Sequence, residues 1–184
     1  LRLIVNPKDE ESLRRVINYP ARGIGQTTMN KLVVAAQEHN LSLFEIADQA
    51  NHIPIQINTS AKIKLVNFAT LIKSFQVDNG NQDAFITADM VAKKTGIVQE
   101  LKKDGTPESI SRIENIEELL NGIRDFVDGQ REIVGAKGSL VEFLEDVALA
   151  TDFDNEIKGE NTVSLMTVHL AKGLEFDHVF VVGM

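Results

Sequence analysis

Two short stretches of this chain gather groups that can handle phosphate. Thr167, His169, Lys172 and Glu175 fall within nine residues. An apolar, β-branched run (Val163 to Val168) ends there, and a second β-type run (His178 to Val182) follows. In α/β sheets the carboxyl end of a strand is where ligands sit. A hydroxyl and an imidazole N–H donate to phosphate oxygens, and a carboxylate accepts from a ribose hydroxyl. The other stretch is Tyr19 to Thr28, YPARGIGQTT, which describes a tight hairpin between two helices. Gly23 and Gly25 permit positive φ and close approach of another molecule. Ile24 can anchor the turn in a core. Thr27 or Thr28 can cap the helix that follows, whose free N–H groups and dipole favour an anion. Arg22 and Lys31 supply counter-charge.

The elements that must position these groups are helical through most of the chain. Leu13, Val16 and Ile17 make an apolar stripe over Asp9 to Asn18, stopped by Pro20. Leu32, Val33 and Ala36 mark a second helix to His39. Ser42 with Glu45 matches a capping box opening Leu43 to Ala50. Thr59 or Ser60 starts a longer helix with Ile63, Val66, Ala69 and Ile72 or Lys73 at helical spacing. Thr87 is the expected cap of Ala88 to Lys94, with Gly96 as its left-handed stop, and Ile97 to Lys103 is a brief helix. Pro107 suits the first turn of the next, whose inward residues are Ile110, Ile113, Ile116, Leu119, Leu120 and Ile123. Ser139 with Glu142 caps Leu140 to Ala150. Asp152 to Asn161 is a polar, acidic linker into the terminal β-type runs. The fold class expected is a mainly α, multi-helix domain with a helix-hairpin-helix-like Gly hairpin and a short C-terminal β-turn/helix-β remnant.

With 184 residues, 43% hydrophobic and 25% charged, the chain can bury a substantial core. It has no cysteine, which excludes disulfides and thiolate chemistry and fits a cytoplasmic protein. No apolar run approaches the roughly 18 to 20 residues that span a bilayer, so no membrane partner is expected. There is no G-x-x-x-x-G-K-[ST] loop, no Asp-Glu pair after a β-type run and no Cys/His metal cluster, so the chain by itself has no catalytic residues for ATP hydrolysis. The net charge of −8 argues against diffuse binding to nucleic acid, but the charge is uneven. Residues 11–35 carry a net +3 and residues 141–160 a net −6. Any nucleic-acid contact is expected at the basic end.

The segment Thr167-x-His169-x-x-Lys172-Gly173-Leu174-Glu175-Phe176 resembles motif V of UvrD/PcrA/Rep-type superfamily 1 ATP-dependent DNA helicases. Leu170 stands where a smaller residue is more usual. Arg22 to Thr28 is similar to the GIG element of the same family, and Ser111 to Leu119 (SRIENIEEL) and Leu140 to Ala150 also resemble its helical subdomain. The likeness covers essentially the whole chain.

The resemblance implies an arrangement. Residues 1–6 would end an element of the RecA-like subdomain 2A, 7–158 would form the helical subdomain 2B, and 159–184 would return to 2A. It implies that Arg22, Gly23, Ile24, Gly25, Thr27, Thr28 and Lys31 hold duplex DNA. Thr167 and His169 would touch single-stranded DNA, and Glu175 and Gly173 the nucleotide. ATP and Mg²⁺ would serve the full-length protein, none being tightly bound by this stretch, and the partners would be DNA and the remaining helicase subdomains. The parent would unwind DNA with 3′-to-5′ polarity in repair or replication restart. Two alternatives remain open: a protein-interaction or autoregulatory module, and the equivalent region of an AddA/RecB-type helicase-nuclease.

Overall fold

The computed structural model describes residues 1–79, 82–131, 137–156, 176 and 178–181. Leu1–Leu149 form one compact unit and Ala150–Met184 a second. The described residues hold nine helices: α1 (Arg2–Val5), α2 (Glu10–Val16), α3 (Gln26–His39), α4 (Leu43–Asp48), α5 (Thr59–Asn79), α6 (Ala84–Lys94), α7 (Ile97–Asp104), α8 (Pro107–Gln130) and α9 (Leu140–Glu156). The mainly α expectation holds. Of the second β-type run, 178–181 are described, and they form no strand; a strand requires a paired neighbour, and none exists among the described residues.

Helix starts follow side-chain chemistry. Asp9 accepts from the Ser12 amide, Asp83 from Ile86, and Thr106 from Ser109 ahead of Pro107. Ser42 and Glu45 form the expected capping box, bonded in both directions, and Ser139 and Glu142 repeat it. Asn58 takes the corresponding role at α5, accepting from the Ala61 amide at 2.7 Å. Gly96, at φ 81°, follows the α6 C-cap Thr95 as expected.

Two expected starts and one expected end are displaced. Helix α6 begins at Ala84, so Thr87 lies inside it, fully buried, its hydroxyl donating to the Asp83 carbonyl. Helix α3 begins at Gln26, ahead of both threonines. Helix α9 continues through Asp152 to Glu156, where an acidic linker was expected; no Gly or Pro interrupts residues 140–156, and acidic residues cost a helix little.

In the Leu1–Leu149 unit, one core runs from Leu13 and Ile17 through Leu32, Ile46, Leu65 and Phe75 to Ile123 and Leu140. Around it α5 packs on α1, α4 and α6, while α8 packs on α6 and α7. Phe126 and Phe143 meet edge to face at 5.5 Å, joining α8 to α9. The buried faces of the long helices match the expected stripes in part, at Ala69, Ile72 and Ile123. In α5 the inward residues are Ala61, Leu65, Phe68, Ala69, Ile72 and Phe75, and Ile63 is 50% exposed. In α8, Ile110 and Leu119 are about half exposed, while Ile123 and Val127 are buried.

This assignment makes a sharp contrast between two neighbours on α5. Leu65→Ala should cost about 2 to 5 kcal/mol, whereas Ile63→Ala should stay within about 0.5 kcal/mol, both read from urea unfolding midpoints. Equal losses would mean the buried face is misassigned.

The capping carboxylates also set an acid dependence. Hydrogen bonds from Ser42, side chain first, hold Glu45 below the usual glutamate range. The Ser139 backbone and hydroxyl do the same for Glu142. Ser12 lowers Asp9, and Ser109 with Thr106 lowers Asp104. Because the folded values lie below the unfolded ones, this stabilisation is present at neutral pH. It is lost as pH falls through the ordinary carboxylate range and then through the folded values. Stability should decline on acidification below about pH 5, and Ser42→Ala should return Glu45 towards its ordinary value in an NMR titration.

Candidate nucleic-acid interface

The connection from α2 to α3 is built around one side chain that spacing alone did not single out. Asn18 Oδ1 accepts from the amides of both Arg22 and Ile24, each at 3.0 Å. A short amide side chain that binds backbone N–H groups a few residues ahead is a known turn-former, so its place just before Tyr19-Pro20 was the available signal. The bond to Ile24 helps seat that side chain, which is only 1% exposed, in the core. Ile24 is thus an anchor, as expected of the turn.

Arg22 lies half-buried beneath the hairpin. Its Nη1 donates to the carbonyls of Val16 (3.0 Å), Pro20 (3.2 Å) and Ile17 (3.5 Å), and its Nη2 donates to that of Thr95 (3.5 Å). The guanidinium carbon stands 5.5 Å from the centroid of the Phe68 ring. Burial pulls its pKa below the ordinary arginine value. Arg22 therefore ties the end of α2 to the end of α6 across the face of α5. Lys31 is exposed, and its Nζ donates to the Gln56 carbonyl at 2.6 Å, linking α3 to the α4–α5 connection.

The two glycines differ. Gly23 has φ 68°, and a Cβ placed there would lie 2.5 Å from Lys64 Nζ. Lys64, on α5, is a second residue that sequence reasoning missed, since 41 positions separate it from Gly23. Gly25 has φ −83° and ψ 176°, and a Cβ on it would meet nothing within 4 Å. It is the N-cap of α3: its carbonyl accepts from the amides of Thr28 (3.0 Å) and Met29 (3.1 Å). No side chain caps this helix, so neither Thr27, exposed, nor Thr28, half-buried, performs that role. The Gln26 and Thr27 amides at the helix start have no side-chain cap, and the positive end of the helix dipole lies behind them.

The other expected site lies outside the described residues: Thr167, His169, Lys172, Gly173 and Glu175 fall there. Phe176, at its edge, is exposed. Among the described residues no group of three or more His, Asp or Glu side chains is placed to hold a metal ion, and no helix is long and apolar enough to cross a membrane.

The geometry defines a mainly α-helical chain whose glycine hairpin is clasped by Asn18 and leads into a helix without a side-chain cap. The description "UvrD-like helicase C-terminal domain" matches residues 1–184, and the chain belongs to that family. It is 36% identical over all of its 184 residues to an ATP-dependent DNA helicase PcrA of Staphylococcus aureus strain Mu50, of which it covers 24%. It is 33% identical, with the same coverage, to an ATP-dependent DNA helicase PcrA of Staphylococcus epidermidis strain RP62A. The chain thus spans about a quarter of the length of these relatives.

The hairpin's clasp can be tested without any ligand. Asn18→Ala should cost about 1 kcal/mol, because water can reach one of the two amides it abandons. Gly23→Ala should cost about 1 to 2 kcal/mol for forcing an L-residue into the left-handed region. Hydrogen exchange at the Arg22 and Ile24 amides should accelerate in the first variant. Unchanged exchange at both would show that Asn18 does not hold the turn.

Proposed function

We propose that this chain is the duplex-binding, regulatory helical subdomain of an ATP-dependent 3′-to-5′ DNA helicase, with 7–158 as subdomain 2B and 159–184 as the motif V segment. In that reading the whole protein hydrolyses ATP with Mg²⁺ and unwinds DNA in repair or replication restart, and this chain contributes DNA contacts rather than catalysis. The motif V residues Thr167 and His169 would hold the single strand, and Glu175 and Gly173 the nucleotide. The phosphate loop and metal-holding carboxylates that ATP chemistry needs are not in these 184 residues, so the triphosphate would be gripped elsewhere in the parent.

The observation that carries the DNA-binding role is the open N-terminus of α3 at Gly25. No side chain caps its first amides, and nothing of the protein lies within 4 Å of where a Gly25 side chain would begin. Backbone amides at a helix start bind phosphate oxygens without reading bases. Thr27 lies exposed in the same turn and can donate its hydroxyl. Family membership supplies the context in which that phosphate belongs to DNA.

Gly25→Ser separates the fold from the function. The residue already has the extended backbone that a serine N-cap adopts, so the hydroxyl would bond the first-turn amides and hold or raise stability. The same bond occupies the seat proposed for phosphate. Fluorescence anisotropy with a labelled blunt duplex should show weak, salt-sensitive binding by the unaltered chain, and several-fold weaker binding by Gly25→Ser at equal or higher Tm. Undiminished affinity in that variant would rule out the α3 terminus as the contact. Salt-insensitive capture of a protein partner, with no DNA binding, would favour an interaction module instead.

A further inference from the structure

We infer that Lys64 supplies the cation that meets the DNA backbone at the hairpin, while Arg22 positions the hairpin from beneath without touching phosphate. This rests on the duplex-binding reading above and assigns the charge within it. Of the basic groups beside the hairpin, two are occupied. The Arg22 guanidinium is held by four carbonyls and faces the Phe68 ring, and the Lys31 ammonium is bonded to the Gln56 carbonyl.

Lys64 differs in both position and partners. It lies four residues before Phe68, one turn along the same face of α5, so the ring under Arg22 and the ammonium over Gly23 share one register. Its Nζ reaches the hairpin backbone because Gly23 has no side chain; a Cβ would lie 2.5 Å from Nζ and 3.5 Å from Cε. Among the described residues Lys64 makes no ion pair and no side-chain hydrogen bond. A half-buried lysine thus brings an ammonium without an ion pair or side-chain hydrogen bond to Gly23, two residues before the N-cap of α3. An ammonium is a compact point charge with three rotatable donors, suited to a phosphate whose exact approach is set by the amides. The guanidinium, a planar fork, is suited to the fixed carbonyls it already holds.

The test is the salt dependence of duplex binding by the 184-residue chain, measured by anisotropy from about 50 to 200 mM salt. Each phosphate that the protein neutralises adds about 0.9 to the steepness of log K against log salt. Lys64→Gln should make the slope shallower by about that amount and weaken binding several-fold at the low-salt end, with Lys64→Arg restoring both. Lys73→Gln, which removes the same charge from the opposite face of α5 about 13 Å further along, should leave the slope unchanged. Arg22→Lys should lower Tm yet keep the slope, read well below its melting temperature. A slope unchanged in Lys64→Gln, or one made shallower by Arg22→Lys instead, overturns the assignment. Should Lys64→Gln prove unstable, Lys64→Met keeps the apolar stem and gives the same readout. No binding by the unaltered chain at the lowest salt would instead remove the duplex-binding reading, and this inference with it.

Discussion

The contact on which the hairpin depends is the Arg22 guanidinium set under the ends of two helices. Helix α2 has seven residues, too short to be stable alone, and its final carbonyls carry the negative end of its dipole, the Tyr19 amide reaching the Val16 carbonyl among them. Arg22 answers both needs. It donates to the Val16 and Ile17 carbonyls and, through its other nitrogen, to the Thr95 carbonyl at the end of α6. An arginine remains charged under these conditions even when burial lowers its pKa. The tie therefore does not switch with pH in the physiological range, and the geometry of the turn is correspondingly fixed. Asn18 closes the turn from the other side, and Ile24 pins it to the core.

A turn held from three directions is pre-organised, which matters for a protein with a net charge of −8. Such a chain cannot rely on a broad positive field to gather DNA, because each exposed cation is screened beyond about 10 Å at 0.1 M salt. In the proposed duplex-binding reading, a few donors fixed at the hairpin would lose little freedom on meeting a phosphate. Backbone amides suit this better than long side chains, since they have no rotamers to lose.

The features legible from the residues were local ones. The Ser42/Glu45 and Ser139/Glu142 boxes, Pro107 at a first helical turn and Gly96 past a helix end all act through neighbours within four positions, and each is found as expected. The burial of Ile24 was also readable, as an apolar residue between two glycines. What was not legible depended on distant partners. Ile63, Ile110 and Leu119 sit on helical stripes as regular as the buried ones, but α5 and α8 have different neighbours along their length, and spacing cannot say which stripe meets them. Likewise nothing near Arg22 in the chain announces that its partners include Thr95 and Phe68. A basic residue beside a glycine turn reads as a counter-charge until the carbonyls beneath it are seen.

The two glycines of the hairpin separate a requirement of the fold from a feature the fold does not need. Gly23 is needed on internal grounds: its φ lies in the left-handed region, where any L side chain is strained. Gly25 has no such ground. Its φ and ψ are ones any residue adopts, a side chain would meet no atom of the protein, and a serine or aspartate there would cap α3 where no side chain now does. Folding stability alone would favour the capped version. The uncapped one leaves the Gln26 and Thr27 amides without a side-chain partner, and in the proposed duplex-binding reading a phosphate would take that place. The fold thus accounts for Gly23 and not for Gly25, and the proposed phosphate contact would account for the second.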